Sequence, residues 1–190
     1  MSKPKKTARL IITYRCNRSC PGCCNGHGNS VRNIENIKEL LEYEEIIITG
    51  GEPMLLGEDL HEFIHALRYN HNYAGRIYLY TAFFKAWNTR QSTMLAHING
   101  ITYTIHAESS DADIFMLKKL SELSTLGLND FSSRLIIDSR VYKKYDFSNI
   151  DLTNWDVIRK LQWKEDCKPA ENEELLYFPL DGRFYDKTIL

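Results

Sequence analysis

Short apolar runs alternate with segments of helical period along this chain. Residues 8–14, Ala-Arg-Leu-Ile-Ile-Thr-Tyr, predict a first strand. Residues 31–43 place Ile34, Ile37, Leu40 and Leu41 on one helical face and predict a helix. Glu45-Ile46-Ile47-Ile48-Thr49 is apolar at consecutive positions, as in a strand buried on both faces, and it ends on Gly50. Leu60, Phe63, Ile64 and Leu67 then recur at the i, i+3, i+4, i+7 spacing of a second helix, and residues 76–81 predict a third strand. Residues 84–97 read as a helix and residues 101–106 as a fourth strand. Ser110 or Asp111 caps a further helix expected to bury Ile114, Phe115, Leu117 and Leu120. Residues 134–138 and 155–161 predict strands five and six, joined irregularly through Tyr142-Lys143-Lys144-Tyr145. Residues 162–190 carry no clear period.

Regular strand–helix alternation requires parallel strands joined by right-handed crossovers, hence a TIM-like barrel or a doubly wound sheet. Six repeats are too few to close an eight-stranded barrel. The expected fold is therefore α/β, a partial (β/α)6 TIM-like barrel of parallel strands. It is expected as a single domain over residues 1–190, with its core at about 8–161 and a C-terminal extension at 162–190. No internal repeat, low-complexity tract or Gly/Ser linker interrupts the chain. In such a fold the site belongs at the C-terminal ends of the strands.

Composition narrows the setting. With 43% hydrophobic and 26% charged residues the chain reads as an ordinary soluble globule, and a net charge of -1 gives no reason to invoke nucleic acid or an anionic membrane. The basic group Lys3, Lys5, Lys6 reads as a solvated terminus. No apolar stretch approaches the roughly 20 residues that span a bilayer, and Leu10-Ile11-Ile12 is too short for a signal core. Four of the five cysteines, Cys16, Cys20, Cys23 and Cys24, crowd one loop where mutual disulfides would be strained, while Cys167 stands apart. A reducing cytoplasm is the expected location.

That loop carries the chemistry. Thiolates are soft and anionic, so Cys16, Cys20 and Cys23, in Cys-Asn-Arg-Ser-Cys-Pro-Gly-Cys, can hold three irons of a four-iron cluster and leave the fourth open to a small molecule. A zinc site is the rival, because Cys24 or His27 could complete a closed tetrahedron around a module that only binds. Against it, the chain lacks the distant second pair of ligands usual in zinc ribbons. At residues 50–53, Gly-Gly-Glu-Pro lets the backbone turn sharply and approach a ligand, and the Glu52 carboxylate can accept hydrogen bonds from an ammonium group. A plain strand-to-helix turn reads equally well from these four residues alone.

CxxxCxxC after a first strand, followed by GGEP closing the second, resembles the radical S-adenosylmethionine superfamily, over roughly residues 8–161. The small members in view are activating enzymes and proteins like 7-carboxy-7-deazaguanine synthase. The resemblance implies a 4Fe-4S cluster on Cys16, Cys20 and Cys23, and S-adenosyl-L-methionine chelated to the open iron near Gly50, Gly51, Glu52 and Pro53. It further implies reductive cleavage to a 5′-deoxyadenosyl radical that abstracts hydrogen from a substrate.

Thr81 and His106, at the ends of strands three and four, are carried over as further cofactor contacts. Glu108, Ser109, Asp111, Arg140 and Gln162 or Lys164 are weaker candidates. An external one-electron donor of flavodoxin or ferredoxin type is implied, and the substrate is a small molecule or a protein, which includes an activase acting on a partner. Relatives place an aromatic residue just before the third cysteine, where this chain has Gly22. Tyr14, Tyr78 or Tyr80 would then have to pack on the adenine.

Overall fold

The computed structural model describes residues 6–20, 23, 30–84, 89–123, 130–160 and 169–180. Among the described residues eight strands, β1 (Thr7–Ile11), β2 (Arg32–Asn33), β3 (Glu45–Thr49), β4 (Arg76–Thr81), β5 (Gly100–Ile105), β6 (Ser132–Asp138), β7 (Asp156–Lys160) and β8 (Glu173–Tyr177), form one sheet. Its order is β2-β8-β1-β3-β4-β5-β6-β7, and every pairing is parallel. The sheet is open. The six strands expected from the sequence run across it in chain order, as a partial barrel requires.

Two strands were not expected. Residues 173–177 pair with β1, Thr7 opposite Glu173 and Ile11 opposite Tyr177, so the segment without a clear period lies inside the sheet. Its start, Glu173-Glu174, is polar and masks the apolar run that follows, in which Leu176, Phe178 and Leu180 are fully buried. Strand β2 is a two-residue pairing on β8.

The helix expected over residues 31–43 does not form. A 3-10 helix, Ile37–Glu42, takes its place, capped by Asn36 in a reciprocal box with Glu39. The tighter period explains the difference: with three residues per turn, Ile37 and Leu40 share one buried face and Leu41 is turned out to solvent, while Ile34 is buried from the extended stretch before the cap.

Among the described residues three α-helices, α1 (Glu58–His65), α2 (Thr89–Ala96) and α3 (Asp111–Ser121), lie between the strands. Leu60, Phe63 and Ile64 of α1 are fully buried, as is Leu67 in the π-helical turn that continues it. They share one core with Ile46, Ile48, Ile77, Leu79, Ile101, Tyr103, Leu135 and Ile137, the alternate residues of one sheet face. On the other face Ile47 and Thr102 are buried but Tyr78, Tyr80, Thr104, Arg134 and Ile136 are only half-buried, which leaves that face partly open.

Helix α3 buries Asp113, Met116, Leu117 and Leu120, whereas Phe115, expected inside, is 58% exposed. The helix is rotated so that a carboxylate, not an aromatic ring, faces inward, and the reason lies in the cysteine loop.

Candidate functional site

Backbone pairing continues beyond the end of β1. Ile12 N–H donates to Thr49 O (3.1 Å), Gly51 N–H to Thr13 O (2.8 Å) and Glu52 N–H to Arg15 O (2.8 Å). On the other flank Phe178 N–H donates to Ile11 O (2.9 Å) and Leu180 N–H to Ile12 O (3.0 Å). The stretch leading to Cys16 is thus held on both sides, and the two sequence motifs form one structure. Gly50, at φ 145°, and Gly51 are the reason it can form. A Cβ at Gly51 would lie 2.1 Å from Arg15 O, and one at Gly50 would lie 2.4 Å from Thr13 O. The close approach that these glycines permit is to the root of the cysteine loop.

Glu52 is almost fully buried. It caps the 3-10 helix Pro53–Leu56, in which Pro53 is the first residue, by accepting from Met54 N–H (3.0 Å). Its carboxylate also accepts from the Thr81 hydroxyl and from Ala82 N–H (2.9 Å), so it ties the end of β3 to the end of β4. Burial pushes its pKa up to about 7, against the pull of these three donors and of Arg18. Thr81, itself buried, is engaged by Glu52 and by the backbone of Phe83.

Cys16 and Cys23 are exposed, Cys20 is half-buried, and all three are free thiols. Burial raises the pKa of Cys16, and burial followed by Glu108 pushes Cys20 up to about 11. Each also feels the charge of its neighbours, Cys23 acting on Cys16 and both acting on Cys20. Three thiols from one loop, close enough to sense one another and open to solvent, are a donor set that fits three corners of an iron–sulfur cluster.

His106 follows β5, and burial, then Arg18, pushes its pKa down to about 4. A ring nitrogen of His106, the Cys20 sulfur and a Glu108 carboxylate oxygen lie within 4.8 Å of one another. That grouping is also one a single metal ion could use. Ser109 is fully buried. Its hydroxyl accepts from His106 N–H (3.0 Å) and its carbonyl from Lys144 Nζ (3.0 Å) and Tyr145 OH (3.2 Å), so it shapes the turn after β5. Asp111 opens α3. Arg140 forms a two-point ion pair with the buried Asp138, which holds that carboxyl below its usual range.

Of the tyrosines, Tyr14 is exposed and stacks on Tyr177 at the end of β8, with centroids 4.7 Å apart. Tyr78 and Tyr80 stand half-buried on β4, Tyr80 beside Arg134 (3.4 Å). Gly22, Cys24, His27, Gln162, Lys164 and Cys167 lie outside the described residues.

Sequence reasoning missed Arg18 and Asp113. Arg18 Nη2 donates to Asp113 Oδ1 (2.7 Å) and to Ala82 O (2.7 Å), with both side chains 8% exposed. The available signal was an aspartate on the apolar face of α3, in register with Met116, Leu117 and Leu120. A cleft of about 770 Å³ lies alongside, between Asn17, Arg18 and Ser19 on one wall and Phe83, Phe115 and Lys119 on the other. Among the described residues no helix is long and apolar enough to cross a membrane.

No family model matches the chain. A protein of Methanocaldococcus jannaschii, named for glycyl-radical enzyme activation, is 39% identical over 59 residues, a segment that spans 27% of this chain and 25% of that protein. The structure of BtrN in complex with AdoMet and 2-DOIA superposes with a TM-score of 0.51 at 19% identity, covering 84% of this chain and 71% of BtrN, a likeness of fold. The first likeness is to a 59-residue segment, so this chain spans about a quarter of the length of that relative, and the second is a likeness of fold.

Proposed function

We propose that this protein is a radical S-adenosylmethionine enzyme, with Cys16, Cys20 and Cys23 holding a 4Fe-4S cluster. The observation that carries the reading is the pairing of Gly51 and Glu52 with Thr13 and Arg15, which sets the glycine turn beside the residue that precedes Cys16. When bound, cluster and cofactor together supply one-electron cleavage to methionine and a 5′-deoxyadenosyl radical. The chain's own part is to bind, orient and shield. The strand-end carbonyls around Gly50 and Gly51 offer acceptors for the cofactor's amino group, and Glu52 braces that turn against β4 rather than standing free. His106, neutral at pH 7, presents a ring nitrogen beside Cys20. The half-buried face carrying Tyr78, Tyr80 and Arg134 is the proposed substrate side. The partner is an external flavodoxin- or ferredoxin-type donor. The match to an activating enzyme favours a glycyl-radical activase over a small-molecule enzyme.

Anaerobic purification and reconstitution test this. The protein should be brown, contain iron and sulfide, and release 5′-deoxyadenosine with dithionite and S-adenosylmethionine. Alanine at Cys16, Cys20 or Cys23 should remove the cluster, while Cys24→Ala and Cys167→Ala should keep it. The grouping of Cys20, His106 and Glu108 favours a second reading, a mononuclear zinc centre in a non-enzymatic module. Colourless protein with stoichiometric zinc and no sulfide would establish that reading and end the first.

A further inference from the structure

Within the cysteine loop, the residue midway between Cys16 and Cys20 is a buried cation. Arg18 bonds directly to two other segments, and through them to two more. Its Nη2 bonds to Ala82 O, and the N–H of the same Ala82 bonds to Glu52 Oε2 (2.9 Å). The Nη2 also bonds to Asp113 Oδ1, while Asp113 Oδ2 accepts from Ser110 N–H (2.7 Å) and Oγ (3.0 Å) at the start of α3. Arg18 Nε is buried without a hydrogen-bond partner among the described residues. A guanidinium stays charged at any working pH, so this is a fixed positive charge under the loop, partly offset by Asp113.

We infer that Arg18 is a positioning residue for the cluster, and that the Arg18–Asp113 pair sets its reduction potential. This rests on the reading that the loop holds a cluster. Reduction adds one negative charge to the cluster. A buried cation nearby stabilises the reduced state and raises the potential, and a buried anion lowers it. Solvent screens the pair little, because both side chains are 8% exposed. The pair therefore makes two predictions of opposite sign. Removing the cation should lower the potential, and removing the anion while keeping its shape should raise it. A clamp with no electrostatic role would lower cluster occupancy in both variants and shift neither potential.

The experiment is a redox titration of the reconstituted full-length protein, followed by the electron paramagnetic resonance signal of the reduced cluster, with iron and sulfide analysis on the same samples. Arg18→Met should fall below wild type and Asp113→Asn should rise above it. Each shift should approach tenfold in the one-electron equilibrium constant, which is about 59 mV. Arg18→Lys keeps the charge and loses the fork, so its potential should stay near wild type while its iron content drops. If Arg18→Met does not fold, Asp113→Asn and Arg18→Lys still decide the matter through the sign of the first and the constancy of the second. Unchanged potentials, or shifts of one sign, in proteins that carry clusters would overturn the inference and leave the proposed function standing. Wild-type protein without iron and sulfide would sink the proposed function, and this inference with it.

Discussion

Replacing Gly51 with alanine tests whether the glycine turn exists to admit the root of the cysteine loop. The added Cβ would sit 2.1 Å from Arg15 O, 2.6 Å from Arg15 C and 2.8 Å from Tyr14 O, all backbone atoms that no rotamer change can move aside. Relief requires the two strands to separate by about 1 Å, since Cβ contacts closer than about 3 Å are not tolerated in packed interiors. That motion breaks the Gly51–Thr13 and Glu52–Arg15 hydrogen bonds, each worth about 1 kcal/mol net. Overpacking adds about 1–3 kcal/mol, for a total loss of about 3–5 kcal/mol.

The damage should be local to the site, because Arg15 immediately precedes Cys16. Gly57→Ala is the control: nothing lies within 4 Å of its would-be Cβ, and its φ of 49° and ψ of -98°, outside the left-handed helical region, cost about 1–3 kcal/mol of backbone strain with no clash. Urea unfolding gives the stability, and iron bound after reconstitution gives the state of the loop. Gly51→Ala should lose both stability and iron, and Gly57→Ala only stability. Gly51→Ala protein with full iron content and wild-type stability would refute the close approach.

Two further outcomes are expected. Glu52 has a pKa raised to about 7 by burial, above the ordinary value of 4.5, so the folded state binds its proton more tightly than the unfolded chain. Its contribution to stability is therefore fully present below pH 4.5 and is lost as pH rises to about 7, by about 3 kcal/mol at the limit. Unfolding free energies measured across that window should decline in the wild type with a component that Glu52→Gln removes; an unaltered slope in the variant would assign the decline elsewhere. Phe178→Ala should cost about 3–5 kcal/mol in urea unfolding, because the ring is fully buried against Phe63 with centroids 6.0 Å apart, and a loss below about 1 kcal/mol would mean the C-terminal segment does not complete the core.

The main strands were legible because their apolar runs are local and dense. Ile46, Ile47 and Ile48 announce a buried strand without help from the rest of the chain, and the observed limits Glu45–Thr49 and Arg76–Thr81 match the expected ones. The period of α1 was as plain. Elsewhere the local signal was ambiguous. Ile37 and Leu40 satisfy a 3-10 period as well as an α period, and only Leu41 separates the two. Phe115 looked like core by hydrophobicity, yet α3 turns Asp113 inward because a buried arginine on a distant loop needs its charge.

What the sequence determined by itself was the alternation that makes the strands parallel, the three clustered thiols, and a glycine pair free to serve either a sharp turn or a close approach. Which backbone those glycines admit was decided by tertiary structure, through Thr13 and Arg15, and so was the partner of Glu52 in Thr81 and Ala82. Residues 173–177 show the same division. Glu-Glu-Leu-Leu-Tyr is too polar at its start to declare a strand, and it becomes one because β1 presents an open edge of hydrogen-bonding groups. The physical reason is range. Periodicity and turn chemistry act between neighbours in the chain, whereas an ion pair such as Arg18 with Asp113 gains its strength only when folding removes both groups from water and brings them together.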